Sequence, residues 1–280
     1  MKRMAKGLQE TLQVIERHKT TNPQYSELLD ILGEILILRE EHRKRITKSI
    51  FPVDEGHIAA KLQGGLPLVD FSSAKLDLRE PKKFFLALLE IGKRRNPVET
   101  EQILKDLEDG TLDYEAMVYD SFTSEGGEAK AEDTDDDTID LLKFFVEESL
   151  RPSLEFVTDL YGATITRMGW NEGYCPVCGR MPKIGHLVDK EGKRHLFCSQ
   201  CGFEWRFRRV KCPFCGNEEQ QSLSYFTVEG DERYRVDVCD VCKHYIKTLD
   251  FRNAGEEAIL DVEDVATLHL DMLAHEEGYN

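Results

Sequence analysis

The chain has 280 residues, 40% of them apolar and 32% charged, with a net charge of −16. That length allows more than one domain with a sizeable core, and no apolar run is long enough to span a bilayer, since the most apolar stretch, residues 31–38, is broken by Gly33 and Glu34. The acidity lies mainly in residues 123–140 and 254–280, while residues 170–253 carry a net +2, too little positive charge to make nucleic acid the main partner.

The first ten residues, MKRMAKGLQE, are positively charged but no apolar stretch follows them. No secretory signal is therefore expected, and the expected location is the cytoplasm. Leu8, Leu12 and Ile15 repeat at helical spacing, and Asn22-Pro23 then opens a second helix through Leu28, Leu29, Leu32, Ile35 and Leu36 to about Lys48. Its basic end, Arg43-Lys44-Arg45, suits the negative pole of the helix dipole and reads as a solvated helix end. Residues 51–70 are less regular, with turns at Pro52, Gly56, Gly64, Gly65 and Pro67.

Pro81 opens a third helix through Phe84, Phe85, Leu88, Leu89 and Ile91, and Asn96-Pro97 opens a fourth that stops at Gly110. A short helix is predicted from Tyr114 to Phe122. The acidic stretch 123–138 has no apolar periodicity and reads as a flexible loop. Helical spacing resumes through Leu141, Leu142, Phe145, Val146 and Leu150, and Pro152 is expected to begin a further helix through Phe156 and Leu160.

Composition changes at Gly169-Trp170. Phe203, Trp205 and Phe207 alternate with Glu204, Arg206 and Arg208, as Tyr234, Val236 and Val238 do with Arg233, Arg235 and Asp237, so β-strands replace helices here. The last 20 residues return to helix, with Val265, Leu268, Met272 and Leu273 on one face. A helix that short must dock to be stable, against the helical half or as a bridge to the strands. The predicted fold class is α+β: an all-α N-terminal domain (1–168), two four-cysteine β modules (169–210 and 211–253), and an acidic C-terminal helix (254–280).

All eight cysteines fall in four Cys-x-x-Cys pairs: Cys175/Cys178, Cys198/Cys201, Cys212/Cys215 and Cys239/Cys242. In a chain without an export signal this reads as metal binding, the alternative being free thiols or disulfides. The gaps after the first and third pairs are long enough for β-hairpins, so consecutive pairing is the simplest: pairs one and two hold one ion, pairs three and four a second. Gly179, Gly202 and Gly216 end three of the knuckles, where the chain needs positive φ. Cys239-Asp-Val-Cys242 is followed by Lys243 instead, which makes the second site the more labile one. Four thiolates suit zinc, or iron in a rubredoxin-like site. With cysteines filling both sites, His186, His195 and His244 are not needed as ligands, although His244 can support the last knuckle from outside. Arg206, Arg208, Arg209 and Lys211 form a basic strip that reads as solvated strand charge, or as contact for an acidic partner or the acidic tail.

The order CPVCG, CSQCG, WRFRRVKCPFCG and CDVCKHYIKTLD, with the tail DVATLHLDMLAHEEGY, resembles the FdhE family of formate dehydrogenase accessory proteins over about residues 170–280. The resemblance implies a cytoplasmic maturation chaperone that is not an enzyme. It implies rubredoxin-like metal sites, with iron the expected metal, and binding to the catalytic subunit of a respiratory formate dehydrogenase before export. The residues agree with a non-catalytic role, because they hold no nucleophile-and-base arrangement, no phosphate loop and no open metal position. An electron-transfer or thiol redox protein is the competing reading, and a zinc-ribbon nucleic-acid binder is disfavoured by the near-neutral charge of the module.

Overall fold

The computed structural model describes residues 7–72, 75–123, 141–228, 230, 232–254 and 257–280. Nearly all of the acidic stretch at 123–138 lies outside them. The N-terminal part comprises α1 (Leu8–Thr21), α2 (Ser26–Arg45), α3 (Ile58–Gln63), α4 (Arg79–Arg95), α5 (Pro97–Glu108), α6 (Tyr114–Thr123) and α7 (Leu141–Met168). Pro23 opens a single 3-10 turn that leads into α2, and the Asn96 side chain caps α5 by accepting the backbone N–H of Glu99. Helix α3 forms within the stretch expected to be irregular.

Helix α4 is the centre of this part, and it packs against α2, α5 and α7. It buries Phe84, Phe85, Leu88, Leu89 and Ile91, spaced to face inward along one side. Each such side chain contributes about 1.5–3 kcal/mol by leaving water. Gly92 lets α4 approach closely, because a Cβ there would sit 2.8 Å from the Phe145 ring on α7.

Pro152 does not begin a new helix. It lies inside α7, which runs unbroken for 28 residues. The proline forfeits one i→i−4 hydrogen bond, but Leu150, Leu154 and Val157 on either side are wholly buried. Tertiary packing overrides the local break.

The strands are β1 (Ile184–Val188), β2 (Lys193–Phe197), β3 (Glu204–Phe207), β4 (Leu223–Thr227), β5 (Tyr234–Cys239) and β6 (Tyr245–Leu249). They form one mixed sheet in the order β3-β2-β1-β6-β5-β4. Two antiparallel halves, β1–β3 and β4–β6, join where β1 and β6 run parallel, Ile184 opposite Lys247, Gly185 opposite Thr248 and His186 opposite Leu249. Phe203, Trp205, Phe207, Tyr234, Val236 and Val238 are all buried, as their alternation requires.

The tail forms α8 (Leu260–Ala266) and α9 (Leu268–Glu276), separated at Thr267. It bridges the two parts: α8 packs against α1, α2 and β1, and α9 against β5 and β6. Val262 joins Val14, Ile15, Leu29 and Leu36, while Leu270 and Ala274 join the sheet's apolar face. The inward positions are Val262, Ala266, Leu270 and Ala274, one every fourth residue, whereas Met272 is 61% exposed. Alanine at two of the four lets the helices lie close to their supports, a reason for burial that a search for large apolar residues overlooks.

Candidate metal centres

The four knuckles share one backbone design. In each, the residue after the second cysteine donates its N–H to the carbonyl of the first: Gly179 to Cys175 (2.9 Å), Gly202 to Cys198 (2.8 Å), Gly216 to Cys212 (3.0 Å) and Lys243 to Cys239 (2.8 Å). The first cysteine's own N–H then donates to the carbonyl of the following residue, at Arg180, Phe203, Asn217 and His244. Such a turn requires positive φ at its end, and the values are 80°, 70° and 74° for the glycines and 60° for Lys243. Lysine in this conformation bears a steric cost that glycine avoids. It is offset by neighbours, since the Lys243 ammonium donates to Asp240 at 2.7 Å and its carbonyl accepts the N–H of Asn280.

The hairpins close the knuckles onto each other in consecutive pairs. Cys175, Cys178, Cys198 and Cys201 form one group and Cys212, Cys215, Cys239 and Cys242 the other, with the sulfurs of each group all within 4.8 Å of one another. Across the first group Sγ separations are 3.4 Å (Cys175–Cys201) and 3.5 Å (Cys178–Cys198). Across the second they are 3.6 Å (Cys212–Cys242) and 3.7 Å (Cys215–Cys239). A disulfide needs about 2.05 Å, whereas a tetrahedron of metal–sulfur bonds of about 2.3 Å has edges of about 3.8 Å. Both groups therefore fit a four-thiolate ion, and neither fits disulfides.

Ionisation points the same way. Burial, reinforced by neighbouring sulfurs, pushes the Cys175 thiol well up. Burial pushes Cys201 up as well; it acts upward on Cys198 too, but hydrogen bonds from the other three sulfurs prevail there and bring that thiol down. In the second group burial raises Cys212 and takes Cys242 up to about 11. At Cys239 burial acts upward too, but the backbone N–H of Cys242 and the Asn217 amide prevail and bring it down to about 7. A cation at the centre of each group would offset the mutual repulsion of its sulfurs.

The two centres differ most in their surroundings. The first belongs to the main core, together with Leu196, Phe203, Trp205 and the helices. Leu68 and Val69 donate backbone N–H groups to Pro176 and Val177 in its first knuckle, both at 2.9 Å. Helix α7 clasps its second knuckle: Thr158 donates to the Cys201 carbonyl at 3.1 Å, the Gln200 amide donates to the Glu147 carbonyl at 2.7 Å, and Arg151 donates to the Ser199 carbonyl. The second centre sits at the periphery, with Cys215 exposed and Cys242 partly so. The units touch at Gly173, where a Cβ would fall 1.8 Å from the Pro213 carbonyl oxygen.

His244 lies beside the second centre, its Nδ1 2.9 Å from the Cys242 carbonyl and its ring 4.9 Å from that of Phe214. His186, His195 and Glu204 converge on one face of β1–β3, with candidate ligand atoms within 4.8 Å and His186 Nε2 2.7 Å from Glu204. The basic strip divides: Arg206 is exposed, Arg208 pairs with Glu218 at 2.9 Å, and Lys211 lies 3.6 Å from the same carboxylate. Arg43 is more than a solvated helix end, since it pairs with Asp159 and lies over the Phe156 ring. The acidic tail instead engages Lys247, which is 2% exposed and reaches Asp264 at 2.8 Å and Asp271 at 2.7 Å.

Nothing in the residue pattern hints at the buried charge cluster joining these parts. Arg39 donates to Glu148 at 2.6 Å, and Arg151 reaches Glu155 at 2.9 Å and Asp261 at 2.7 Å. Burial raises the Glu148 carboxyl above its ordinary range even with Arg39 and Arg151 beside it. In a single sequence these residues look like ordinary helix surface charges. Only their joint burial distinguishes them.

Among the described residues no helix is long and apolar enough to cross a membrane. Sequence profiles for "FdhE, central domain" and "FdhE, C-terminal domain" match residues 174–209 and 210–280. The chain is 30% identical over 260 residues to the "Protein FdhE homolog" of Aquifex aeolicus (strain VF5), covering 92% of this chain and 87% of that one. It is 34% identical over 122 residues to "Protein FdhE" of Escherichia coli (strain K12), a match spanning 42% of this chain and 38% of the relative. The crystal structure of the FdhE protein from Pseudomonas aeruginosa superposes with a TM-score of 0.67 at 22% identity, over 98% of this chain and 90% of that one, so the two share a fold.

Proposed function

The chain belongs to the FdhE family, and from that premise we propose that it is a cytoplasmic accessory protein for the assembly of respiratory formate dehydrogenase. It binds the catalytic subunit before export and does not itself turn over formate. Its eight cysteines hold two ions, four to each, with iron the expected metal and zinc the alternative. Within this proposal, on the boundaries read from the sequence, 1–168 and 254–280 form the support, 169–210 is a structural metal module and 211–253 is assigned as the module that meets the client.

The observation that supports this most is the difference between the centres. A buried four-thiolate ion has no open position for substrate, and the first centre, locked into the core, suits a purely structural role. The second, with Cys215 exposed, presents a metal-shaped surface. The same exposure favours a second reading, in which the outer centre passes electrons or exchanges thiols with its partner.

Affinity purification of the tagged chain from its native cytoplasm tests the first reading. The catalytic subunit of formate dehydrogenase should be recovered, and deletion of the gene should abolish respiratory formate oxidation. If neither occurs, the accessory role is wrong. Elemental analysis of anaerobically purified protein separates the metals. Two iron ions per chain, with colour that bleaches reversibly on one-electron reduction, supports the redox reading, whereas colourless zinc protein removes electron transfer.

A further inference from the structure

A cavity of about 460 Å³ opens at the seam between the two halves of the sheet, next to the second metal centre. Its size falls in the range of small-molecule sites. Strands β2 and β5 supply Arg194 and Arg235, and the link between β3 and the third knuckle supplies Arg209 and Lys211. Phe214 and Tyr225 add aromatic walls.

The charges here are not balanced. Asp237 is the acidic residue lining the cavity. It is shared, with Arg235 donating to it at 3.2 Å, Thr248 at 2.6 Å and Arg194 lying 3.8 Å away. Glu218 serves both Lys211 and Arg208. Arg209 has no ion-pair partner among the described residues. Four cations thus face one carboxylate in the cavity itself, and a loaded four-thiolate centre with a divalent ion offsets about two of them.

Arg194 is the decisive residue. It is 2% exposed, and one of its terminal nitrogens, Nη2, donates to the carbonyls of both Arg208 and Lys211. Its Nε is buried without a hydrogen-bond partner among the described residues, whereas the Nε of Arg235 lies 3.1 Å from the Asp237 carboxylate. Burial draws the Arg194 pKa down to about 10, which leaves it charged at neutral pH. A buried guanidinium N–H left unsatisfied is costly, and one beside an open cavity indicates that something else completes it. Screening of the nearby thiolates alone would call for neither a cavity nor an unused donor.

We propose that this seam cavity is a binding site for a phosphate ester, its tetrahedral oxyanion held by Arg194 and Arg235 with Arg209 and Lys211 at the mouth, and its organic body against Phe214 and Tyr225. Phosphate fits better than carboxylate, because its three oxygens and charge near −2 match several separated donors. The site does not depend on the client reading above, since its binding is measured without any partner protein.

Calorimetric titration of the purified full chain in low-chloride buffer tests it, with inorganic phosphate, phenyl phosphate and acetate as probes. Phosphate should bind one to one and phenyl phosphate more tightly, with acetate at least about tenfold weaker than phosphate. Arg194→Met should weaken phosphate by about tenfold or more, whereas Arg206→Gln should leave it unchanged. If Arg194→Met does not fold, Arg209→Gln and Arg235→Gln carry the test, each weakening binding without loss of helix content. No saturable phosphate binding, equal binding of acetate, or indifference to Arg209→Gln and Arg235→Gln would each overturn the assignment.

Discussion

Arg151, midway along α7, donates to the backbone carbonyl of Ser199, the residue that follows Cys198 in the second knuckle. The same guanidinium holds Glu155 and, on α8, Asp261. One side chain therefore ties the helices, the tail and the first metal centre together. Replacing it with alanine strands two half-buried carboxylates and a carbonyl, which should cost about 3 kcal/mol. Urea unfolding monitored by helix content measures this, and a loss below about 1 kcal/mol would mean the cluster is dispensable.

The two centres should respond differently to loss of ligands. Changing Cys212 and Cys215 to serine is expected to leave one ion per chain and near-wild-type helix content. Changing Cys175 and Cys178 should also remove one ion but unfold much of the core, since a structural ion contributes about 10–16 kcal/mol where folding depends on it. Metal analysis combined with circular dichroism distinguishes the two. Equal damage from both double variants would contradict the division between inner and outer centres.

Lys243 makes its turn at a φ of 60°. A β-branched residue fits that conformation badly, so Lys243→Val should destabilise the fourth knuckle by about 1–2 kcal/mol. Lys243→Gly relieves the backbone but loses the contact with Asp240 and should stay close to neutral. The readout is the rate at which a chelator removes the outer ion. Lys243→Val should hasten it and leave the inner ion untouched.

Metal affinity should rise with pH. A thiol whose pKa lies above the working pH must release its proton on binding, and Cys242, at about 11, is such a thiol. Cys239, at about 7, is half ionised at neutrality. Below pH 7 it too becomes protonated, so the dependence steepens by about another tenfold per pH unit. Competition with a chromophoric chelator from pH 6 to 8 should show the outer site weakening as pH falls. A flat profile would indicate thiolates already formed in the metal-free protein.

The sequence carried the local design of this protein well. Four Cys-x-x-Cys pairs with trailing glycines announce knuckles, because the backbone leaves few other ways to aim two sulfurs at one point. The apolar repeats of α1, α2 and α4, and the Asn-Pro start of α5, are likewise written in the chain. What stayed hidden depends on distant partners. Pro152 reads as a helix start until the packing of Leu150 and Leu154 carries α7 through it. Ala266 and Ala274 look too small to mark a buried face until the sheet beneath them is known. Arg194 differs in no visible way from Arg206, although one is buried beside a cavity and the other faces solvent. Nor does spacing reveal that β1 meets β6, since parallel pairing joins segments some 60 residues apart.

That pairing turns two cages into points on a single stiff plate. Beads on a flexible string would sample many separations, but here Ile184, Gly185 and His186 lock the inner half against Lys247, Thr248 and Leu249 of the outer. With paramagnetic ions in both cages, dipolar spectroscopy should return one narrow distance, as from a ruler with two marks.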